Sequence, residues 1–285
     1  IVGGTEIKED IDHTISFLNR YYKDHGPNGG YYSHIDPVTF DAKAESLGVN
    51  KAKKNWNSVG DHAPAYLINL YLATGDENYG RFLEDTFDTI CDHFPDYGYS
   101  PFMNEKFFDD WSHDLKWGIH QARCVVGHNL KVAWNLTRMH SLMPKESYKT
   151  FAHQIADAIP AAGCDNQRGG WYDMMERTLK DGEENYRRVW HDRKAWWQQE
   201  QGILAYYIMA GVYNDKPEYL NYAREGSAFY NGWFLDYEEG AIYFNVLANG
   251  QPYSLGGERG KGSHSMAGYH SFELCFLAAV YTNLL

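Results

Sequence analysis

"DHAPAYLINLYLATGDENYGRFLEDTFDTICDHF", residues 61–94, has the pattern of two helices joined by a short turn. Over 61–74 the leucines and a tyrosine recur at helical spacing and so share one helix face. Gly75 follows, and glycine is the residue that most readily takes the left-handed conformation that ends a helix. Apolar residues return at helical spacing over about 77–94. The stretch therefore predicts a helix hairpin, because a short turn brings the second helix back along the first.

The same apolar spacing continues along the rest of the chain. It predicts six further helices, at about 5–24, 127–143, 146–160, 194–213, 216–231 and 265–284. Glycine-centred aromatic segments separate the helix pairs, with their glycines at positions 29, 98, 169 and 240, in steps of 69, 71 and 71 residues. Such regularity is typical of a repeat architecture. We therefore expect residues 1–285 to form a single all-α domain, a toroid of helix hairpins.

The balance of charges disfavours several classes of partner. The formal net charge is −12, with 38 acidic and 26 basic residues, so we expect no surface for nucleic acid or an anionic membrane. The four cysteines are scattered and form no Cys-x-x-Cys pair, which favours buried free thiols in a reducing, cytoplasmic location. No stretch reaches the ~18 apolar residues that a membrane-spanning helix needs.

Polar and aromatic residues recur where the first helix of each unit begins. These positions hold His62, His128, the cluster of Trp196, Trp197 and Glu200, and His270. Counted from the middle of the cluster, their steps of 66, 70 and 72 residues match the period of the glycines. The inner helices of a toroid of hairpins run in one direction, so their amino-terminal ends should meet at one pole. We therefore expect these residues to surround one cavity.

The segment "RKAWWQQEQG", residues 193–202, indicates what that cavity binds. Flat indoles beside charged and amide groups suit a sugar, which has an apolar face of C–H bonds and a rim of hydroxyls. Lys194 in this segment and the nearby His191 are further candidate sugar contacts. Imidazoles at helix N-termini are held neutral and can accept a proton, so two of them suit acid–base chemistry on a carbon acid. Three histidines with a glutamate could bind zinc, but no His-Glu-x-x-His spacing supports it, and no metal is predicted.

Four segments in this order and spacing resemble a known family. They are residues 54–94, "GHNLKVAW" (127–134), "KAWWQQEQGILAYY" (194–207) and "YHSFELC" (269–275). They are similar to the N-acylglucosamine 2-epimerase superfamily, which includes cellobiose and mannobiose 2-epimerases and bacterial mannose or glucose isomerases. The resemblance implies an (α/α)6-type barrel of helix hairpins.

The resemblance also implies a reaction that needs no metal or redox cofactor. His128 and His270 would form the acid–base pair, one of them removing the proton beside an open-chain aldehyde to give an enediol(ate). Return of the proton would give the 2-epimer or the ketose. Glu200 would orient a histidine or a hydroxyl. The residues that would contact or enclose the sugar are His62, Trp196, Trp197 and Glu200.

Two features depart from the family pattern. The family commonly has Gly-His-x-x-Glu, and Lys131 stands at the position of that glutamate. A cation there favours the neutral imidazole, and we expect Lys131 to meet an acidic substrate group or a neighbour such as Glu200. The chain also holds about four hairpin units, where an (α/α)6 barrel has six. We therefore expect a barrel that lacks the N-terminal hairpins, either as a fragment of a longer protein or as a shortened relative with an open groove.

Two alternative functions remain open from the sequence. A glycoside hydrolase or polysaccharide lyase on the same toroid would use carboxylates, for which the candidates are Asp61, Asp109, Asp110, Glu200 and Glu258. A non-catalytic sugar-binding protein would need no acid–base pair. For the epimerase or isomerase we expect the partner to be a small mono- or disaccharide, with a homodimer as a further expectation. Only an epimerase or isomerase exchanges the proton next to a sugar carbonyl with solvent.

Overall fold

Helices provide most of the regular structure of the chain. The structure is a computed structural model that describes residues 5–61, 63–118, 123–262, 266 and 268–284. In these ranges the α-helices are α1 (Thr5–Phe17), α2 (Ala63–Thr74), α3 (Glu77–His93), α4 (Val126–Leu142), α5 (Glu146–Ala162), α6 (Trp196–Tyr213), α7 (Pro217–Trp233) and α8 (Tyr269–Tyr281). The all-α prediction is confirmed, and each predicted helix has a counterpart.

The two terminal helices are shorter than predicted. After α1 the chain continues as a π-helical turn, Leu18–Tyr22, which ends where the Lys23 N–H donates to the Leu18 carbonyl. After α8 it continues as a short 3-10 turn, Thr282–Leu284. The apolar spacing on which the prediction rested does not distinguish these tighter or wider turns from an α-helix, because all of them keep one face apolar.

The chain forms two compact units. The first consists of Ile1–Pro95 with Asn104–Gln121, and the second of Asp96–Met103 with Ala122–Leu285. The prediction that residues 1–285 form one domain stays a prediction. The first unit contains α1, α2 and α3, and the second contains α4 to α8.

The second unit is built on helix α6. α4 packs on α5 and α6 packs on α7, as the predicted hairpins require, and α6 also packs on both α4 and α8. Nearly every side chain of α6 is buried, from Trp196 to Ala210. This burial on all sides explains the near-continuous apolar run at 203–210, since a helix with neighbours around it has no solvent face. The helix ends at Asn214, which is left-handed with φ of 50°.

Short antiparallel ribbons lead into the helices. Their strands are β1 (Lys53–Asn55), β2 (Lys106–Phe108), β3 (Arg123–Val125), β4 (Met174–Glu176), β5 (Lys194–Ala195) and β6 (Asn245–Val246). β1 pairs with β2 in the first unit, while β3 pairs with β4 and β5 with β6 in the second. β3 runs directly into α4, and β5 runs directly into α6. Each ribbon therefore fixes where the N-terminus of its helix lies.

Three of the predicted glycine-centred segments, those around Gly29, Gly169 and Gly240, are turns that share one design. The glycines at 29, 98, 169 and 240 all have positive φ, between 61° and 84°. In the second unit, Asp165 opens such a turn, and its Oδ1 accepts from the backbone N–H groups of Gln167 and Arg168. Asp24 opens the equivalent turn of the first unit, and its Oδ1 accepts from the Gly26 N–H. Asp236 opens the third such turn, and its Oδ1 accepts from the backbone N–H groups of Glu238 and Glu239. The repeat predicted from glycine spacing is thus a repeat of this turn at three of its four positions, whereas Asp96, before Gly98, pairs with Arg177.

A lysine from a following strand is buried against two of these turns. The Lys194 ammonium donates to Asp165 Oδ2 at 2.9 Å and to the Gly169 carbonyl at 2.6 Å. In the first unit, Lys54 donates to Asp24 Oδ2 at 2.8 Å and to a glycine carbonyl at 2.6 Å. Both lysines have side chains with no exposed surface. We call this arrangement the lysine lock, and it joins a hairpin turn to the ribbon that follows it.

Candidate active site

Two predicted histidines and one tryptophan come together at the N-termini of α4, α6 and α8. His128 is the third residue of α4, Trp197 the second of α6 and His270 the second of α8. The Trp197 ring lies 5.4 Å from the His128 ring and 5.5 Å from the His270 ring, between centroids. The plane of the Trp197 indole makes an angle of 45° with the His128 ring and 29° with the His270 ring. One indole therefore contacts both imidazoles.

The two adjacent tryptophans occupy different environments. Trp196 is 3% exposed, and its ring packs on Phe244 at 4.5 Å with an edge toward His270 at 6.0 Å. Trp197 keeps part of its surface accessible. Trp197 is therefore the tryptophan that can offer a flat face to a ligand, while Trp196 belongs to the core behind it.

Gln198 and Gly127 explain how α4 and α6 start side by side. The Gly127 N–H donates to Gln198 Oε1 at 2.6 Å, and Gln198 Nε2 donates to Asp173. Arg193 pairs with the other Asp173 oxygen. A Cβ on Gly127 would lie 2.7 Å from both Gln198 and Trp197, closer than packed atoms allow. Glycine is therefore required at position 127, directly before His128, because a side chain there would keep α6 from packing this close to α4.

Gln201 is a residue of this site that the sequence did not single out. Its Oε1 accepts from Trp134 Nε1–H at 2.7 Å, and its Nε2 lies 3.1 Å from His270 Nδ1 and 3.2 Å from Glu273 Oε2. The side chain is fully buried. A signal was present in the sequence, because three glutamines in one turn of an otherwise apolar helix must each find buried partners.

Glu200 is enclosed by hydroxyl groups. Its Oε1 accepts from the Tyr230 hydroxyl of α7 and the Ser271 hydroxyl of α8, both at 2.6 Å, and the residue is 1% exposed. Burial raises the pKa of Glu200 to about 7, and the two hydroxyls only partly oppose that rise. Glu200 therefore holds the first turn of α8 through Ser271, the residue that follows His270.

This enclosure predicts a pH-dependent stability. Since the pKa of Glu200 is raised from its ordinary value of 4.5 to about 7, the folded chain keeps a proton that the unfolded chain releases between these values. The stability from this group is full below pH 4.5 and is lost as pH rises through 7, a change of about 3 kcal/mol. Glu200→Gln removes the titration. We expect the stability of the parent relative to Glu200→Gln to fall by that amount from acidic to mildly alkaline pH.

Urea unfolding at several pH values between these limits measures this difference. Parallel stability curves for the parent and Glu200→Gln would contradict the assigned pKa.

Lys131 is buried between α4 and α8. Its ammonium donates to the Tyr269 hydroxyl at 3.1 Å and lies 5.2 Å from the centre of the same ring. The Tyr269 ring in turn lies 3.9 Å from the ring of His270. The residue that departs from the family motif therefore acts on the neighbourhood of the second histidine, through Tyr269.

Two other predicted sugar contacts, Lys194 and His191, lie apart from this group. Lys194 is held in the lysine lock, which gives it a structural role in place of the predicted contact with substrate. The His191 ring packs on Tyr253 at 5.0 Å and borders an open pocket of about 730 Å³ formed by residues 183–191. His62 lies outside the described residues. The structure thus assembles His128, Trp197 and His270, with Glu200 and Lys131 behind them.

The described residues hold neither a set of metal ligands nor a membrane-spanning helix. Within the described ranges, no three His, Cys, Asp or Glu side chains converge as a set of metal ligands. The absence of a metal or cofactor stays a prediction. No described helix has both the length and the apolarity to cross a membrane. None of the four cysteines, all of which the structure describes, forms a disulfide; Cys124 is buried, whereas Cys275 is exposed, contrary to the expectation that all four are buried.

Known proteins share this fold. A cellobiose 2-epimerase from Spirochaeta thermophila is 19% identical, with a TM-score of 0.78 over 99% of this chain and 66% of that one. A D-mannose isomerase is also 19% identical, with a TM-score of 0.76 over 98% of this chain and 66% of its own. The chain thus spans slightly less than two thirds of their length. At this identity the likeness shows the fold, and it confirms the predicted fold class.

The sequence itself identifies the family. No curated protein matches it. The model of the N-acylglucosamine 2-epimerase family, in contrast, matches residues 39–268, which is most of the chain and includes His128 and Trp197, while His270 lies two residues beyond the match. This chain therefore belongs to the N-acylglucosamine 2-epimerase family.

Proposed function

We propose that this chain carries the active site of a sugar 2-epimerase or aldose–ketose isomerase. The observation that carries the proposal is the contact of one part-exposed indole, Trp197, with two imidazoles, His128 and His270. Acid–base chemistry on a carbon acid needs two proton-transfer groups at one substrate, and an indole supplies the flat apolar surface for the sugar. Membership of the family supports the same reaction.

The chemistry requires only protein side chains. One imidazole takes the proton from the carbon beside the aldehyde of an open-chain sugar, and the electron pair moves to the carbonyl oxygen to give an enediol(ate). The other imidazole supplies a proton to the opposite face, which gives the 2-epimer, or the proton returns to the former aldehyde carbon, which gives the ketose. A helix N-terminus favours the neutral imidazole that such a base needs.

The proposed substrate is a small mono- or disaccharide with a free reducing end. Related structures bear the names cellobiose 2-epimerase and D-mannose isomerase, which supports both sizes. The scattered cysteines, none of which forms a disulfide in the described structure, support a reducing, cytoplasmic location for the protein.

Proton NMR in heavy water tests the proposal. The protein is incubated separately with glucose, mannose, N-acetylglucosamine, N-acetylmannosamine, cellobiose and mannobiose. Deuterium at the carbon beside the carbonyl, with a new epimer or ketose, is the expected result for at least one sugar. The matched control is a double variant, His128→Asn with His270→Asn. No exchange with any sugar, or equal exchange in the control, would overturn the proposal, and release of monosaccharides without exchange would identify a hydrolase.

A further inference from the structure

The Gln201 side-chain amide has only one orientation that satisfies its surroundings. Trp134 Nε1 is always a donor, so the atom 2.7 Å from it must be the Gln201 carbonyl oxygen. The amide nitrogen then points to His270 Nδ1 at 3.1 Å and to Glu273 Oε2 at 3.2 Å. A flipped amide would place its N–H groups against the Trp134 Nε1–H and its carbonyl oxygen against the Glu273 carboxylate, so neither contact could be a hydrogen bond. The two N–H groups of Gln201 therefore go one to His270 and one to Glu273.

This orientation decides where the proton of His270 resides. A ring nitrogen that accepts an N–H bond carries no proton, so Nδ1 of His270 is unprotonated. In a neutral imidazole the proton then sits on Nε2. A second proton on Nδ1 would place two donors 3.1 Å apart. His270 is thus held as a donor at Nε2, and it is not free to act there as a base.

We propose that Gln201 is a positioning residue that holds His270 in its Nε2–H tautomer, which selects aldose–ketose isomerisation over 2-epimerisation. The inference rests on the proposed function and narrows it. Isomerisation needs one base that moves a proton from C2 to C1. It also needs one neutral donor that exchanges protons with O1 and O2. Epimerisation needs a second group able to exchange a proton at carbon on the opposite face. With His270 locked as a donor, His128 is the carbon base.

In the proposed isomerisation His128 moves the proton between the two carbons, and His270 exchanges protons with the two oxygens. His128 takes the proton from C2 of the open-chain aldose, the C2–H electrons form the C1–C2 double bond, and the C1 carbonyl electrons move to O1. O1 takes the proton of His270 Nε2, and Nε2 regains a proton from the O2 hydroxyl. His128 then delivers its proton to C1 as the C2 carbonyl forms. A neutral imidazole that polarises a carbonyl in this way is an established mode of catalysis.

Nitrogen-15 NMR of the whole chain tests the tautomer directly. The ring proton-to-nitrogen correlations of labelled histidine distinguish Nε2–H, Nδ1–H and imidazolium forms, and His270→Asn identifies the His270 signal among the 13 histidines. We expect the Nε2–H pattern for His270 in the parent protein. An Nδ1–H pattern there would overturn the inference without any use of activity.

A charge-preserving exchange of two residues should reverse the tautomer. In the double variant Gln201→Glu with Glu273→Gln, the new carboxylate can accept from Trp134, from His270 Nδ1–H and from the new amide. His270 should then show the Nδ1–H pattern. Glu273→Gln alone is the matched control, because Gln201 stays oriented by Trp134 and the Nε2–H pattern should persist. An unchanged His270 pattern in the folded double variant would also overturn the inference.

The products then separate this inference from the proposed function. With a sugar that exchanges, the parent should form the ketose, and the double variant should lose ketose formation by about 100-fold, the usual scale of a misplaced acid–base group. Epimer as the main product of the parent would overturn the selection of isomerisation while leaving the proposed function standing. Absence of any exchange in a parent that shows the Nε2–H pattern would instead refute the proposed function.

Discussion

His128→Ala and His270→Ala are each expected to reduce solvent exchange and turnover by about 1,000-fold or more, because each removes one of the two proton-transfer groups. Both imidazoles contact Trp197, so neither can take the place of the other without moving the sugar off the indole. Rates measured by NMR in heavy water, with the sugar that exchanges fastest, give the size of the loss.

The control is His140, a histidine outside the proposed pair that lies on the same helix as His128. His140 lies at the far end of α4, where its ring packs on Tyr213 at 5.6 Å. His140→Ala should keep the parent rate, and all three variants should keep the parent helix content by circular dichroism. Parent-like activity in either His128→Ala or His270→Ala would refute the assignment of the pair.

Lys194→Met is expected to lower the free energy of unfolding by about 3–5 kcal/mol, the usual cost of removing one partner from a buried ion pair. The variant leaves the Asp165 carboxylate and the Gly169 carbonyl without the ammonium that both now share. Because β5 begins at Lys194 and leads into α6, the loss should also loosen the start of the helix that carries Trp197. Urea unfolding at neutral pH measures the change.

Lys261→Met provides the comparison. Lys261 pairs with Asp236 in the third turn of the same design, but its side chain is 24% exposed, so water can replace it and a smaller loss is expected. Equal losses for the two variants would show that burial does not set the strength of the lysine lock. Parent-like stability of Lys194→Met would show that the lock contributes nothing.

The helices and turns could be predicted because their causes are local. Apolar spacing placed each helix, and the positive φ that Gly169 must adopt marked its turn. The positions of His128 and His270 could also be predicted, since each opens a helix of a regular repeat. Residues a few positions apart in the chain are sufficient for all of these inferences.

The roles of the polar residues on α6, and on β5 directly before it, could not be predicted in the same way. Lys194, Glu200 and Gln201 are all polar and lie within two turns, yet they bind a hairpin turn, two hydroxyls and His270 respectively. Their partners are 25 to 72 residues away in the chain. Which of them is enclosed depends on how α4, α7 and α8 pack around α6.

Local sequence therefore specifies where helices begin and which residues stand at their ends, because backbone geometry repeats every few residues. It does not specify which polar group faces a ligand, because burial and hydrogen bonding are properties of the packed neighbours. Because of the packing around α6, Lys194 and Glu200, both expected to contact a sugar, instead hold a turn and the first turn of α8 in place. The same packing gives Gln201, whose burial the sequence indicated but whose partner it did not, direct contact with His270.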